Sequence, residues 1–563
     1  MKKCFFSPGL NRSLNNQQRQ LYKSRSLRRL LLFGLLLSLG VTVNAQAPAK
    51  SWDRTFGGSL GEDMNVLRQT ADGGYILGGS SRSEASGDKS QPSQGGRDYW
   101  VVKINSMGVK EWDKTFGGAQ DDLLFTIEQT PDGGYLLGGH SSSGISGDKT
   151  EASRGGIDQW VVKISSTGVK EWDKAFGGSL NDELYSLKKT SDGGYILAGT
   201  SESGVSGDKT ESNWGLGDYW VVKIDNSGVK QWDKTFGSTG DDQAFSVQQT
   251  ADGGYIIGGH SASAMYGDKS ENSKGGDDYW LVKISSTGTK EWDRTIGANS
   301  SEHFAALQQT SDGGYIVGGH TPSIASGDKT EPTVGGADFW IVKLDNAGTK
   351  LWDKTYSGSL GERLGALQQT PDGGYMLAGY TQAGVGGDKT EPSKGGNDYW
   401  LIKVSSTGVK EWDKTIGGDW GDNLTSMELT SDGGIILGGH SFSEVAGDKT
   451  EPCRGGFDYW VVKLGGTVNS VPSAATIRES KVFPNPVTRG SVRLLVDNLP
   501  RATYTVRVVN SIGHQVAVRE IDHRGGFLQT EIDMLHGGAG VYQLSLLTQN
   551  GETIVRHTVV KGE

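Results

Sequence analysis

The apolar residues of this chain fall in short runs that never take up a helical period. Between Glu62 and Gly118 four such runs stand out. Residues 64–70 and 75–80 flank the turn Ala71-Asp72-Gly73-Gly74, whose glycines supply positive φ. A polar loop over 83–97 holds Gly87-Asp88-Lys89. The next run, Asp98–Ile104, is apolar on both faces, with Tyr99 and Val101 on one and Trp100, Val102 and Ile104 on the other. A strand covered on both sides reads this way. Ser106-Met107-Gly108 then turns the chain into Lys110–Phe116, where Glu111, Asp113 and Thr115 alternate with Trp112 and Phe116. That alternation predicts an edge strand guarded by charge. Gly78-Gly79 in the second strand permits close backbone approach.

The pattern recurs every sixty residues, seven times, without an insertion. Trp-Asp-Lys or Trp-Asp-Arg stands at Trp52, Trp112, Trp172, Trp232, Trp292, Trp352 and Trp412, and a second tryptophan at Trp100, Trp160, Trp220, Trp280, Trp340, Trp400 and Trp460. Four-stranded units repeated about an axis predict a β-propeller; a linear β-solenoid is the competing architecture. The ends favour a ring. Lys50–Phe56 is a fourth strand lacking its first three, whereas 424–430, 434–440 and Asp458–Leu464 are three strands lacking a fourth. The expected fold is therefore all-β: a seven-bladed propeller over 46–464, closed by the N-terminal strand.

Composition changes the picture at the two ends. Residues 1–45 carry eight Lys/Arg and no acid, and an apolar run over 30–43 precedes Val43-Asn44-Ala45. This predicts a secretory signal peptide cleaved between Ala45 and Gln46. The run is short for a membrane span, and no later segment is apolar enough to make one. Losing eight positive charges takes the formal net charge from −10 to −18, which argues against nucleic acid as a partner. Cys4 leaves with the signal, so Cys453 has no intrachain disulfide partner. Residues 465–480 form a small-residue linker, and 481–563 show short alternating runs expected to fold as a small Ig-like β-sandwich.

The meander places all long polar loops on one face of the expected ring, where function usually sits. One acid per repeat precedes the innermost strand there: Glu62, Asp122, Asp182, Asp242, Glu302, Glu362 and Asp422. These are candidates for a ligand or cation rim, or alternatively for turn-capping carboxylates. His140, His260, His320 and His440 follow Gly-Gly and are further ligand candidates; non-adjacent blades would hold them too far apart for a shared metal. The Gly-Asp-Lys loops read as solvated turns, with too few oxygens beside a lysine for calcium. No Gly-x-Ser-x-Gly, His-Glu-x-x-His or Cys/His cluster occurs, and repeated carboxylates nominate no unique pair. No catalytic residue, metal site or cofactor is assigned.

The tail carries a more specific signal. It opens with Phe483-Pro484-Asn485-Pro486, continues through Tyr504 to Gly513, and adds Gly540-Val541-Tyr542 and a terminal Val559-Val560-Lys561. Together these resemble the type A C-terminal sorting domain of the type IX secretion system. The resemblance implies the secretion machinery and a sortase as partners. It also implies an extracellular or outer-membrane surface location, reached through the periplasm after signal-peptide export. The repeats are also similar to propeller-type repeats of such cargo, some labelled endoglucanase, though no residue here supports that label. The expectation is a secreted or surface protein that binds polysaccharide or a protein partner through its long-loop face. A glycan-active hydrolase and a structural spacer are the alternatives.

Overall fold

The computed structural model describes residues 46–465, 480–487, 490–510, 514–534, 538–548 and 553–562. The signal region with Ala45, most of the 465–480 linker, and Gly513 lie outside the described residues. Among the described residues every regular element is a strand.

Sheet 1 consists of Glu62–Gln69, Tyr75–Ser81, Asp98–Ile104 and Lys110–Phe116, hydrogen-bonded in that order and antiparallel. Five more sheets repeat this order: sheet 2 spans 122–176, sheet 3 182–236, sheet 4 242–296, sheet 5 303–356 and sheet 6 362–416. Sheet 7 takes Asp422–Leu429, Ile435–Ser441 and Asp458–Leu464 from the end of the repeats and Lys50–Phe56 from the start. There Trp52 sits opposite Lys463 and Phe56 opposite Tyr459. The first strand begins earlier than its apolar run suggests, because Glu62 and Asp63 already pair with Ser81 and Ser80. A bulge follows between Met64 and Val66. Gly79 is required opposite it: a Cβ there would lie 1.8 Å from the Asp63 carbonyl oxygen. The turn between the first two strands uses Gly73 at φ 79°, with the Thr70 N–H bonded to the Gly74 carbonyl at 2.9 Å.

No sheet buries its apolar residues alone; the cores lie between adjacent sheets. Tyr99, Val101 and Phe116 of sheet 1 pack on Leu124, Ile127 and Trp160 of sheet 2. Tyr99 Oη donates to the Trp160 carbonyl at 3.0 Å, as Tyr219 does to Trp280 and Tyr399 to Trp460. The same bond runs from Tyr459 of sheet 7 to the Trp100 carbonyl of sheet 1, at 3.1 Å. A core of Phe56, Met64, Leu67, Trp100, Tyr459 and Val461 accompanies it.

The fourth strand is an edge of its sheet and exposes Glu111, but its other acid does not face solvent. Asp113 is buried, whereas Trp112 is the half-exposed neighbour. Burial is tolerated because the carboxylate accepts from the Trp100 indole at 3.2 Å, the Ser90 N–H at 2.8 Å and Lys110 at 3.0 Å. Asp53 does the same for Trp460 and Thr450. The tail also departs from expectation. Its five strands are longer than expected and join by hydrogen bonds into one network whose two ends meet, with Ser480 bonded to His557 at 3.0 Å. Ser491–Asn510 and Gln515–Asp533 are long partners, and Ser480–Phe483, Gly540–Thr548 and Thr553–Lys561 complete the sheet. The run around Tyr504 is continuous with residues 491–496, with only a register shift at Val496/Leu499 where a turn would have split it. Residues of the sorting motif stitch this sheet. Asn485 accepts from the Val560 N–H and donates to the Thr558 carbonyl, Tyr542 donates to Gly538, and Gly540 pairs with Lys561.

Phe56 and Phe116 occupy equivalent buried places, each 4% exposed. Phe56→Ala should cost about 3–5 kcal/mol, and Phe116→Ala a similar amount, in denaturant unfolding. A much smaller loss for Phe56→Ala would mean that the N-terminal strand is dispensable.

Candidate functional site

The seven candidate carboxylates do not form an accessible rim. Glu62, Asp122, Asp182, Asp242, Glu302, Glu362 and Asp422 are each 0% exposed. Their oxygens are taken up inside the protein. Glu62 accepts from the Gly58 N–H at 2.9 Å and from Ser81 and Ser83, and Asp122 from the Gly118 N–H at 2.7 Å and Ser143. Each also faces the carboxyl that opens a neighbouring third strand. Asp98 interacts with Asp122, Asp278 with Glu302, and Asp458 of sheet 7 with Glu62 of sheet 1. Burial, reinforced by the facing acid, pushes the Asp98, Asp278 and Asp458 carboxyls up to about 7.

The Gly-Asp-Lys loops are not solvated turns either. Lys89 is buried and donates to the Gln91 carbonyl at 2.7 Å, and Asp88 pairs with Arg454 of sheet 7 at 2.8 Å. Arg154–Asp208 repeats that ion pair at 2.7 Å, and the Trp214 indole replaces it by donating to Asp268. Lys89-type buried lysines escape a sequence reading because nothing local marks them; their acids come from other strands.

The histidines stand on the second strands, opposite the first, but are not gathered. His140 lies against Phe125 and Tyr185, and His440 against Phe442 and Phe457. His260 and His320 flank His303, with ring centroids 6.4 Å and 5.0 Å from it. Burial holds His140 down to about 4 and His320 to about 3, so both are neutral at pH 7.

The sequence reading missed the partly exposed positions of the first strands. Here the repeats differ strongly. One row reads Asp63, Leu123, Glu183, Gln243, His303, Arg363 and Asn423; the next reads Asn65, Phe125, Tyr185, Phe245, Ala305, Gly365 and Thr425. Phe125, Tyr185 and Phe245 form a run of rings with successive centroids 4.9 Å apart, opposite in character to the small residues that follow. Near Arg363 two cavities open, of about 460 and about 330 Å³, and both are lined by Ala337 and Arg363. Divergence at a fixed repeat position was the available signal.

Among known proteins, the tail gives the firmest match. Residues 481–561 match the family described as the secretion system C-terminal sorting domain. That tail marks the chain as type IX secretion cargo, exported to the cell surface or the extracellular space. The chain is 23% identical over 379 residues to the regulatory protein FlaEY of Caulobacter vibrioides, across 62% of this chain and 39% of that protein. The chain thus spans about two fifths of the curated relative it matches. PorZ, a bacterial surface component of the type IX secretion system of Porphyromonas gingivalis, is 12% identical, with 90% of this chain and 74% of that one covered at a TM-score of 0.23. A puromycin hydrolase is 12% identical, with 81% and 62% covered at a TM-score of 0.41.

The buried carboxyl pairs give a pH prediction. Asp98 has a folded pKa above its ordinary 3.8, so its contribution to stability is full below 3.8 and lost as pH rises through about 7. Asp98→Asn removes that dependence. Unfolding in urea at pH 5 and pH 8 should show the variant gaining relative to the native chain at pH 8, by on the order of 1–3 kcal/mol. An equal difference at both pH values would show that Asp98 does not hold a proton.

Proposed function

We propose that residues 46–464 form a closed seven-bladed β-propeller that binds polysaccharide or a surface protein through its long-loop face. Closure is supported by the bonds and core that join sheet 7 to sheet 1 in the same way as sheet 1 to sheet 2. In this reading a signal peptide is removed between Ala45 and Gln46, the chain crosses the periplasm, and residues 481–563 engage the secretion machinery and a sortase. The seven buried carboxylates are structural in it, and His260 and His320 remain ligand candidates through their contact with His303.

One observation carries the binding assignment: the repeats are nearly invariant where they build sheets and diverge where they meet solvent along the first strands. The fold leaves those positions free, and a ligand that breaks the symmetry makes use of such freedom. A glycan-active hydrolase is the second reading, and Glu362 favours it. Burial, together with the facing Asp338, pushes this carboxyl beside a cavity up to about 8, the protonation that a general acid needs.

The mature chain should bind members of a polysaccharide and surface-protein panel without releasing reducing ends. Sustained reducing-end release that disappears in Glu362→Gln would replace binding with hydrolysis. Silence across the panel would leave the spacer.

A further inference from the structure

Sheets 5 and 6 meet at a place unlike the other six junctions. In sheet 1 the first-strand acid Asp63 is paired with Arg97 at 3.3 Å. The corresponding residues of sheet 6 are Arg363 and Asn397, so the charge is reversed and the partner is an amide. Arg363 is exposed, and among the described residues no carboxylate pairs with it. The groups around it are small: Ala337 stands where other repeats have Arg97, Ile157, Gly217, Asp277, Asn397 or Phe457, Gly361 is shared only with Gly61 and Gly421, and no other junction pairs two residues this small. Their small size opens the two cavities that share Arg363 and Ala337.

The walls add directed polar groups. Tyr380, Gln382 and Asn397 line the larger cavity; His303, His320 and Pro322 line the smaller. The Nδ1 atom of His320 is buried without a hydrogen-bond partner. The His303 and His320 rings are stacked, 5.0 Å between centroids at 27°. Glu362 in the wall lacks the serine found at Ser83, Ser143 and Ser203, since Ala383 takes that place, and its Oε2 is also without a partner. Burial, together with the facing Asp338, pushes its carboxyl up to about 8, which limits its repulsion of an anion.

Resting on the reading that this face binds ligands, we propose that the notch between sheets 5 and 6 takes a uronate unit of an acidic polysaccharide. The guanidinium of Arg363 meets the planar carboxylate through paired N–H donors. Tyr380 offers a ring face, and the amides of Gln382 and Asn397 both donate and accept, as an array of sugar hydroxyls requires. The wall of the smaller cavity is mainly apolar, which suits the C–H face of a sugar ring beside the carboxylate. At about 460 and about 330 Å³ the cavities suit one or two sugar rings.

The experiment titrates the mature full chain with a short oligogalacturonate, its methyl ester and a neutral oligosaccharide of equal length, by calorimetry. The acid form should bind, the ester and the neutral sugar at least about tenfold more weakly, and Arg363→Gln should lose about tenfold or more for the acid form alone. Gln243→Ala, at the equivalent place in sheet 4, should change nothing. Arg363 is exposed, so the variant's thermal unfolding serves as the check that it folds. Unchanged affinity in Arg363→Gln overturns the proposal. Tighter binding of a free-carboxylate peptide or of a sulfated oligosaccharide than of the uronate also overturns it. If the chain binds neutral glycans or a protein while the uronate is ignored, the notch falls and the broader binding reading stands. If nothing binds, both fall.

Discussion

Everything in the repeat region depends on one sheet burying the apolar face of the next. The third strands are buried along their whole length on both faces, and no sheet supplies both covers itself. Burying a large aromatic or aliphatic side chain contributes roughly 1.5–3 kcal/mol, and each junction buries about ten of them. A sheet without a neighbour would leave that surface in water. The Tyr–Trp bonds and facing carboxyls fix the angle at which sheets meet, since a small rotation would leave buried polar groups unpartnered. Packing thus supplies the drive and the polar groups the geometry.

The strands, their order and the two-ended seventh sheet were legible because each has a periodic signature. Trp100 and its six counterparts mark the third strand, and Gly73-Gly74 marks a turn. Bulges were not legible: the extra residue near Asn65 matters only opposite Gly78 and Gly79, a relation between two strands. Burial of charge was misread for the same reason. Asp113, Lys89 and Glu62 look like solvent-facing residues until partners from other strands arrive. The tail sheet was misjudged because alternation reveals a strand but not its length.

The candidate site escaped differently. Its residues, Ala337, Arg363 and Tyr380, are spread over forty-four positions, and each is unremarkable in its own copy. They become notable only in comparison with six equivalents. A repeated scaffold makes such a comparison possible within one chain: the invariant positions state what the fold demands, and the deviations state what it leaves free. The first strands follow this division, with rings at Phe125, Tyr185 and Phe245 and small groups at Ala305 and Gly365.

The pairing of Lys50–Phe56 with Asp458–Leu464 has a temporal side. The indole of Trp460 finds its acceptor in Asp53, 407 positions earlier. Whatever emerges first from the ribosome must wait, with its aromatic residues uncovered, until the whole array has been made. Contacts of such long range are slow to form. The seventh sheet therefore stays incomplete until Leu464 has been made, which leaves the growing chain loose over that interval.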